Sequence, residues 1–485
     1  MSRADISPQQ WVRIRRFAIP GWMISECTAA RERGDWRAAC EAAGVEVLFD
    51  DPGPVADLLA GLAPDLLRWH LPRSRGGSTA LSPGRRYVLT DAAVVTPETP
   101  VLLVRTLPDD RLSLDRACLR DLPPGPIIPV PAHLWDAREA DGLRVVTTLS
   151  PDSATWADAG WVFTGDQDYL DLFIGGLDPM LLAAELRRVA AGFGTDRLLL
   201  ISEWLSTWLR LTVTPDQLWL QRHLYPGGPT SDQVIPALHQ DLLRPPPDSA
   251  LVRDGHLDVA EVHPLVRAVL FPSAPAGPVA AGPPLVTEEL FRVRCRGVWH
   301  WVGVSAGRIE LPEHSDEERQ REHSLAAFGG EMGGCFQAEK AWNGGGGRLP
   351  RRIRQHRRDL IVRLELGGAR ALEQMLDAGL NPDLRDGAGR TLIHMLRTLG
   401  DPGLLPRLLA AGLDIETRCR QGFTPLFEAV DQRWPSRYII ALVDAGADLR
   451  TYFPTTKDTR QYLDRIARHA DQERQTVIAY LRRNL

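Results

Sequence analysis

Lysine is nearly missing from this chain: 57 of its 485 residues are basic, and only Lys340 and Lys457 are lysines. Almost every cation is therefore a planar, permanently charged guanidinium, suited to bidentate pairing with carboxylates. Together with abundant alanine, glycine and proline, this bias is that of GC-rich coding sequence, such as an actinobacterium's. Cysteine is sparse: residues 27, 40, 118, 295, 335 and 419 show neither CxxC nor paired spacing. That argues against a disulfide framework and for a reducing cytoplasm. No run of eighteen apolar residues exists to span a bilayer, and Met1-Ser2-Arg3-Ala4-Asp5 opens no apolar signal core. Neither HxxxH nor HExxH occurs among the twelve histidines, and Gly344–Gly347 lacks the Lys-Ser/Thr of a phosphate loop. The expectation is no metal, no cofactor and no membrane contact.

What is present is an ordinary globular composition, 44% hydrophobic and 25% charged, long enough for two to four domains. Helical periodicity covers Trp22–Arg33, Asp35–Ala43, Leu58–Leu71, Pro179–Ala191 and Arg197–Leu211. Arg86–Thr90 and Val101–Arg105 read as strands, while Leu122–Pro131 is too proline-rich for helix or strand. Two composition breaks, Pro272–Pro284 and Asn343–Gly347, read as linkers. They divide the chain into a mixed α and β domain (1–271), a small unit of hairpin plus helix (285–342) and a C-terminal module (350–485). Charge is uneven: Arg351–Leu485 carries 23 basic and 17 acidic residues, against 34 and 45 in the remainder. A basic module beside an acidic body can dock on that body or on an outside anion.

The C-terminal module repeats. Thr391-Leu392-Ile393-His394 and Thr424-Pro425-Leu426-Phe427 lie 33 residues apart, and Gly379, Gly412 and Gly446 follow at spacings of 33 and 34. Thr391 and Thr424 suit helix capping, Pro425 suits a first helical position, and Gly412 and Gly446 suit left-handed helix ends. His394 can tie one loop to the next. The vocabulary and period resemble the ankyrin-repeat family over about 130 residues, and the whole chain looks like ankyrin-repeat proteins of GC-rich actinobacteria. With the mixed N-terminal domain read above, the expected fold is an α+β N-terminal region followed by the all-α ankyrin-repeat solenoid that the resemblance implies, mostly helical overall. It implies about four helix pairs, two of them clear repeats, closed by polar helices at Thr459–Ala470 and Gln472–Arg483. Carried over by position, partner-binding residues would be Arg385, Asp386 and Ala388 on one finger and Arg418, Arg420 and Gln421 on the next. Met395, Thr398, Glu428 and Asp431 would lie on the first-helix surface. Leu392 for proline and Phe427 for histidine depart from the pattern.

The implied function is protein–protein interaction or scaffolding in the cytoplasm, with a protein as partner. The alternative is an enzyme or toxin-like effector whose catalytic region, 1–342, is targeted by the repeats. Its weak nucleophile candidate is Cys335, after Gly333-Gly334, with His300, His314 and His323 near enough in sequence to act as a base. Nucleic acid is not the expected partner. Arg292, Arg294 and Arg296 with Trp299 and Trp301, and the arginines from 348 to 358, could contact phosphates and bases, but the chain is acidic overall.

Overall fold

The structure is a computed structural model that describes residues 6–73, 80–107, 110–148, 155–164, 174–202, 208–223, 233–280, 288–449, 463–465, 467 and 472–485. The chain forms two compact units, Met1–Pro283 and Pro284–Leu485.

The first unit is built on ten strands: β1 (Val45–Val47), β2 (Arg86–Leu89), β3 (Pro100–Thr106), β4 (Leu112–Cys118), β5 (Gly125–Pro129), β6 (Trp161–Thr164), β7 (Arg197–Ile201), β8 (Trp208–Val213), β9 (Leu218–His223) and β10 (Val234–His239). They form one mixed sheet in the order β1-β4-β3-β2-β5-β10-β7-β8-β9-β6. The halves repeat each other. β1 runs parallel to β4, β4-β3-β2 is an antiparallel meander, and β2 is parallel to β5. β6 to β10 repeat those pairings in the same senses, and parallel pairing of β5 with β10 joins the halves.

Local chemistry explains the covering elements. Helix Pro179–Phe193 starts where the Asp178 carboxylate accepts from the amides of Met180 and Leu181, and ends at Gly194 with φ 60°. Its Leu182, Leu186 and Val189 face β7, β8 and β9 in one apolar core. Burial of a leucine of this kind contributes roughly 2 kcal/mol.

Several expectations need correction. The helix expected over Arg197–Leu211 is replaced by two antiparallel strands, β7 and β8, with residues 203–207 outside the described ones. Leu198–Ile201 is buried on both faces of the sheet, and a short continuous apolar run has no period to separate strand from helix. The proline-rich Gly125–Pro129 is the strand at the centre of the sheet, its ladder so short that the missing proline donors interrupt little.

The second unit corrects the fold class. It opens with a three-stranded antiparallel sheet, β11 (Glu289–Cys295), β12 (Val298–Ser305) and β13 (Arg308–Glu310), followed by helices Asp316–Ala327 and Gly334–Trp342. Phe291, Val293 and Val302 from this sheet lie in one apolar core with Ile353, Leu396, Leu426 and Leu442. The unit is thus not an all-α solenoid, and with 45% helix among the described residues and a ten-stranded sheet the chain is not mostly helical. The helices of the repetitive stretch are also short. After Thr391, residues 392–395 are turns and only Leu396–Leu399 is α-helical, whereas Pro425–Asp431 is helical throughout. Leu392 lacks the preset φ that Pro425 supplies. The expected helix Thr459–Ala470 lies mostly outside the described residues, and Gln472–Asn484 is helical.

Candidate functional site

Between Asp386 and Leu449 two short helix pairs are stitched by side chains that bond backbone. Thr424 caps its helix by accepting from the amide of Phe427 at 3.2 Å. His394, only 1% exposed, bonds at Nδ1 with Thr391 and at Nε2 with the Phe423 carbonyl at 3.1 Å. Burial holds its pKa below the ordinary imidazole value. Arg420 extends the stitching: its amide donates to the Ala388 carbonyl and its guanidinium to the Gly387 carbonyl, each at 2.9 Å. Arg390 bridges Asp386 at 2.7 Å and Glu428 at 3.2 Å. Gly379, Gly412 and Gly446 have φ of 89°, 94° and 94°, the left-handed ends where other residues are strained.

This network sorts the candidate partner-binding residues. Ala388, Thr398, Arg418, Arg420, Gln421 and Asp431 are exposed, and Arg385 is half-buried and bonded to Asp383. Asp386, Glu428 and Met395 are buried: the two carboxylates hold Arg390 and Met395 belongs to the apolar core. His394, Cys419 and Glu428 also approach one another, but both ring nitrogens of His394 already have partners.

The surroundings of Cys335 differ from those of an activated thiol. It is fully buried at the start of helix Gly334–Trp342, and burial, then Cys295, pushes its pKa up to about 12. Cys295 ends β11, immediately before the Arg296-Gly297 turn, and His300 follows on the same sheet face of β12, opposite Val293. His314 stands just before the helix capped by Ser315. Ligand atoms of Cys295, His300, His314 and Cys335 all lie within 4.8 Å of one another. His323 is not among them and faces Glu339 at 3.7 Å. Spacing rules overlook this group because its members come from four separate segments. The one sequence signal is that Gly297 and Gly333-Gly334 flank both cysteines. The opposite sheet face leaves Trp299 and Trp301 55% and 43% exposed, with the Arg292 guanidinium 5.4 Å from the Trp301 ring centre.

In the first unit a cavity of about 200 Å³ lies beyond the carboxyl ends of β5 and β10, lined by His133 after one strand and Asp241 and Arg244 after the other. Central parallel strands of opposite halves meet there, a common place for ligands. His70 and His133 also line it. Burial lowers both pKa values, to about 4 for His133, and each Nε2 is buried without a hydrogen-bond partner among the described residues. Such neutral imidazoles can hydrogen-bond a small polar molecule. No serine, threonine or cysteine is found among the described residues of the lining.

Arginine pairing anchors this region. Arg15 makes a bidentate pair with Asp248 at 3.0 and 2.9 Å, and Asp110, with φ 59°, holds Arg73 at 2.9 Å and Arg68 at 3.4 Å. Asp110 is thus the counter-ion of two buried arginines.

No family model matches the chain. Over 82 residues it is 34% identical to NF-kappa-B inhibitor delta of Mus musculus, a stretch amounting to 16% of this chain and 25% of that protein. The chain thus matches about a quarter of that relative's length. The relative is an ankyrin-repeat protein, and the likeness to it is partial. Among the described residues no helix is long and apolar enough to cross a membrane.

Proposed function

We propose that the second unit binds a protein partner through the turns 385–388 and 418–421, as a scaffold or recruitment surface. The observation that carries this reading is the stitching of successive turns by His394 and Arg420, which holds the exposed Arg418 and Gln421 in place before any partner arrives. Preorganised tips lose little entropy on association, so their contacts convert to affinity. The similarity to NF-kappa-B inhibitor delta supports an interaction role.

The test is cross-linking of the full chain in its source cells, followed by binding measurements with the recovered protein. Arg418→Ala with Gln421→Ala should weaken that complex about tenfold or more and leave thermal unfolding within about 0.5 kcal/mol of the parent. Equal affinity for parent and variant would remove the turns from the interface.

A further inference from the structure

We propose that Cys295, His300, His314 and Cys335 bind one Zn²⁺ ion in tetrahedral Cys2His2 coordination, clamping the β11–β12 hairpin to the start of helix Gly334–Trp342.

The donors are already gathered. Each offers a ligand atom, and no two of these atoms are more than 4.8 Å apart. Around tetrahedral zinc, with bonds of about 2.0–2.1 Å to nitrogen and 2.3 Å to sulfur, ligand atoms stand about 3.3–3.8 Å from each other. No pair therefore needs to close by more than about 1.5 Å, and the two imidazoles, whose Nδ1 of His300 and Nε2 of His314 lie 2.7 Å apart, open by about 0.6 Å. Two thiolates and two imidazoles are a borderline-soft tetrahedral set that fits zinc, whereas calcium and magnesium need oxygen donors.

The surroundings point the same way. The Nδ1 of His314 faces the Glu318 carboxylate at 3.2 Å, so its Nε2 is the nitrogen aimed into the cluster. A carboxylate behind a ligating histidine fixes the ring and raises its basicity. Glu318 is itself held by the amide of Ser315 at 3.2 Å. The buried Phe336 ring packs 4.6 Å from that of His314.

Two glycines make the approach of the sulfurs possible. A Cβ on Gly333 would stand 2.6 Å from Cys295 Sγ, and one on Gly334 would collide with the Arg294 carbonyl. The helix start is thereby pressed against the end of β11. The amides of its first turn favour negative charge, which stabilises the Cys335 thiolate once zinc is present. Binding forms two Zn–S and two Zn–N bonds and releases two thiol protons to solvent, with no change of oxidation state.

The full chain, expressed in zinc-supplemented medium and purified without chelator, is analysed by plasma mass spectrometry. About one zinc per chain is expected, falling at least tenfold in Cys295→Ser and in His314→Ala, while Cys419→Ser and His323→Ala retain it. Because a ligand variant can simply misfold, parent protein stripped of metal is also titrated with Co²⁺. A thiolate charge-transfer band with tetrahedral d–d bands, saturating at about one equivalent and abolished by Zn²⁺, is expected. The proposal is overturned if the parent carries no zinc and shows no such bands. It is equally overturned if a folded Cys295→Ser variant keeps both, or if alkylation finds Cys295 and Cys335 joined as a disulfide.

Discussion

His394 offers a measure of how much the turn-to-turn stitching contributes. Its ring makes polar contacts with the Thr391 amide at 3.2 Å, the Thr391 hydroxyl at 3.0 Å and the Phe423 carbonyl at 3.1 Å, all in a buried setting. Phe427 occupies the corresponding place in the next pair, so His394→Phe keeps an aromatic of similar volume and removes only the polar contacts. The Phe423 carbonyl keeps the Cys419 amide at 2.9 Å, but losing bonds of about 1 kcal/mol each and leaving the buried Thr391 amide without its Nδ1 acceptor predicts a destabilisation of about 2–3 kcal/mol. His394→Ala adds an unfilled cavity and should cost about 3–5 kcal/mol. Urea unfolding with hydrogen exchange of peptides spanning 386–449 reads both variants, since the exchange reports this stretch apart from the first unit. The sign of the pH dependence follows from the lowered pKa of His394, caused chiefly by burial. The unfolded chain takes up the proton more readily, so this contribution is complete above about pH 6.5 and declines as pH falls toward the folded value. A His394→Phe protein with the parent's urea midpoint and exchange rates would refute the reasoning.

The first unit supplies two further tests. Asp110→Ala strands the buried Arg73 and Arg68 without a counter-ion and should lower stability by about 3–5 kcal/mol in thermal melts; a loss under about 1 kcal/mol would show that water serves them equally well. His133, held near pKa 4 by burial, makes the unit less stable as pH falls from about 6.5 to 4, by about 3 kcal/mol from this residue. Urea midpoints across that range should flatten in His133→Gln, and an unchanged slope would remove His133 from the account.

How legible the chain was depended on the range of the interactions involved. Local backbone chemistry could be read residue by residue. Gly412 and Gly446 take the left-handed conformation, Thr424 caps its helix, and Asp178-Pro179 opens a helix over the segment whose periodicity called for one. Even the His394 tie, which reaches 29 residues to Phe423, was visible because a repeat carries its neighbour's geometry within it.

Features that depend on distant partners were hidden. Leu198–Ile201 is a strand because β8 and β10 lie beside it, and nothing within the apolar run says so. Gly125–Pro129 became a central strand through Tyr87 and Val234, 30 residues and more away. Residues 284–485 share one core with a sheet that the repeat pattern does not contain, which removed the all-α solenoid. The Cys–His group needed a hairpin, a loop and a helix start to meet. Its members are separated by up to 40 residues, and only two small glycines at the contact hint at the approach. Capping and left-handed glycines follow from forces acting within a few bonds. Strand pairing, buried arginine partners and convergent ligands follow from chain segments whose meeting is a property of the packed molecule.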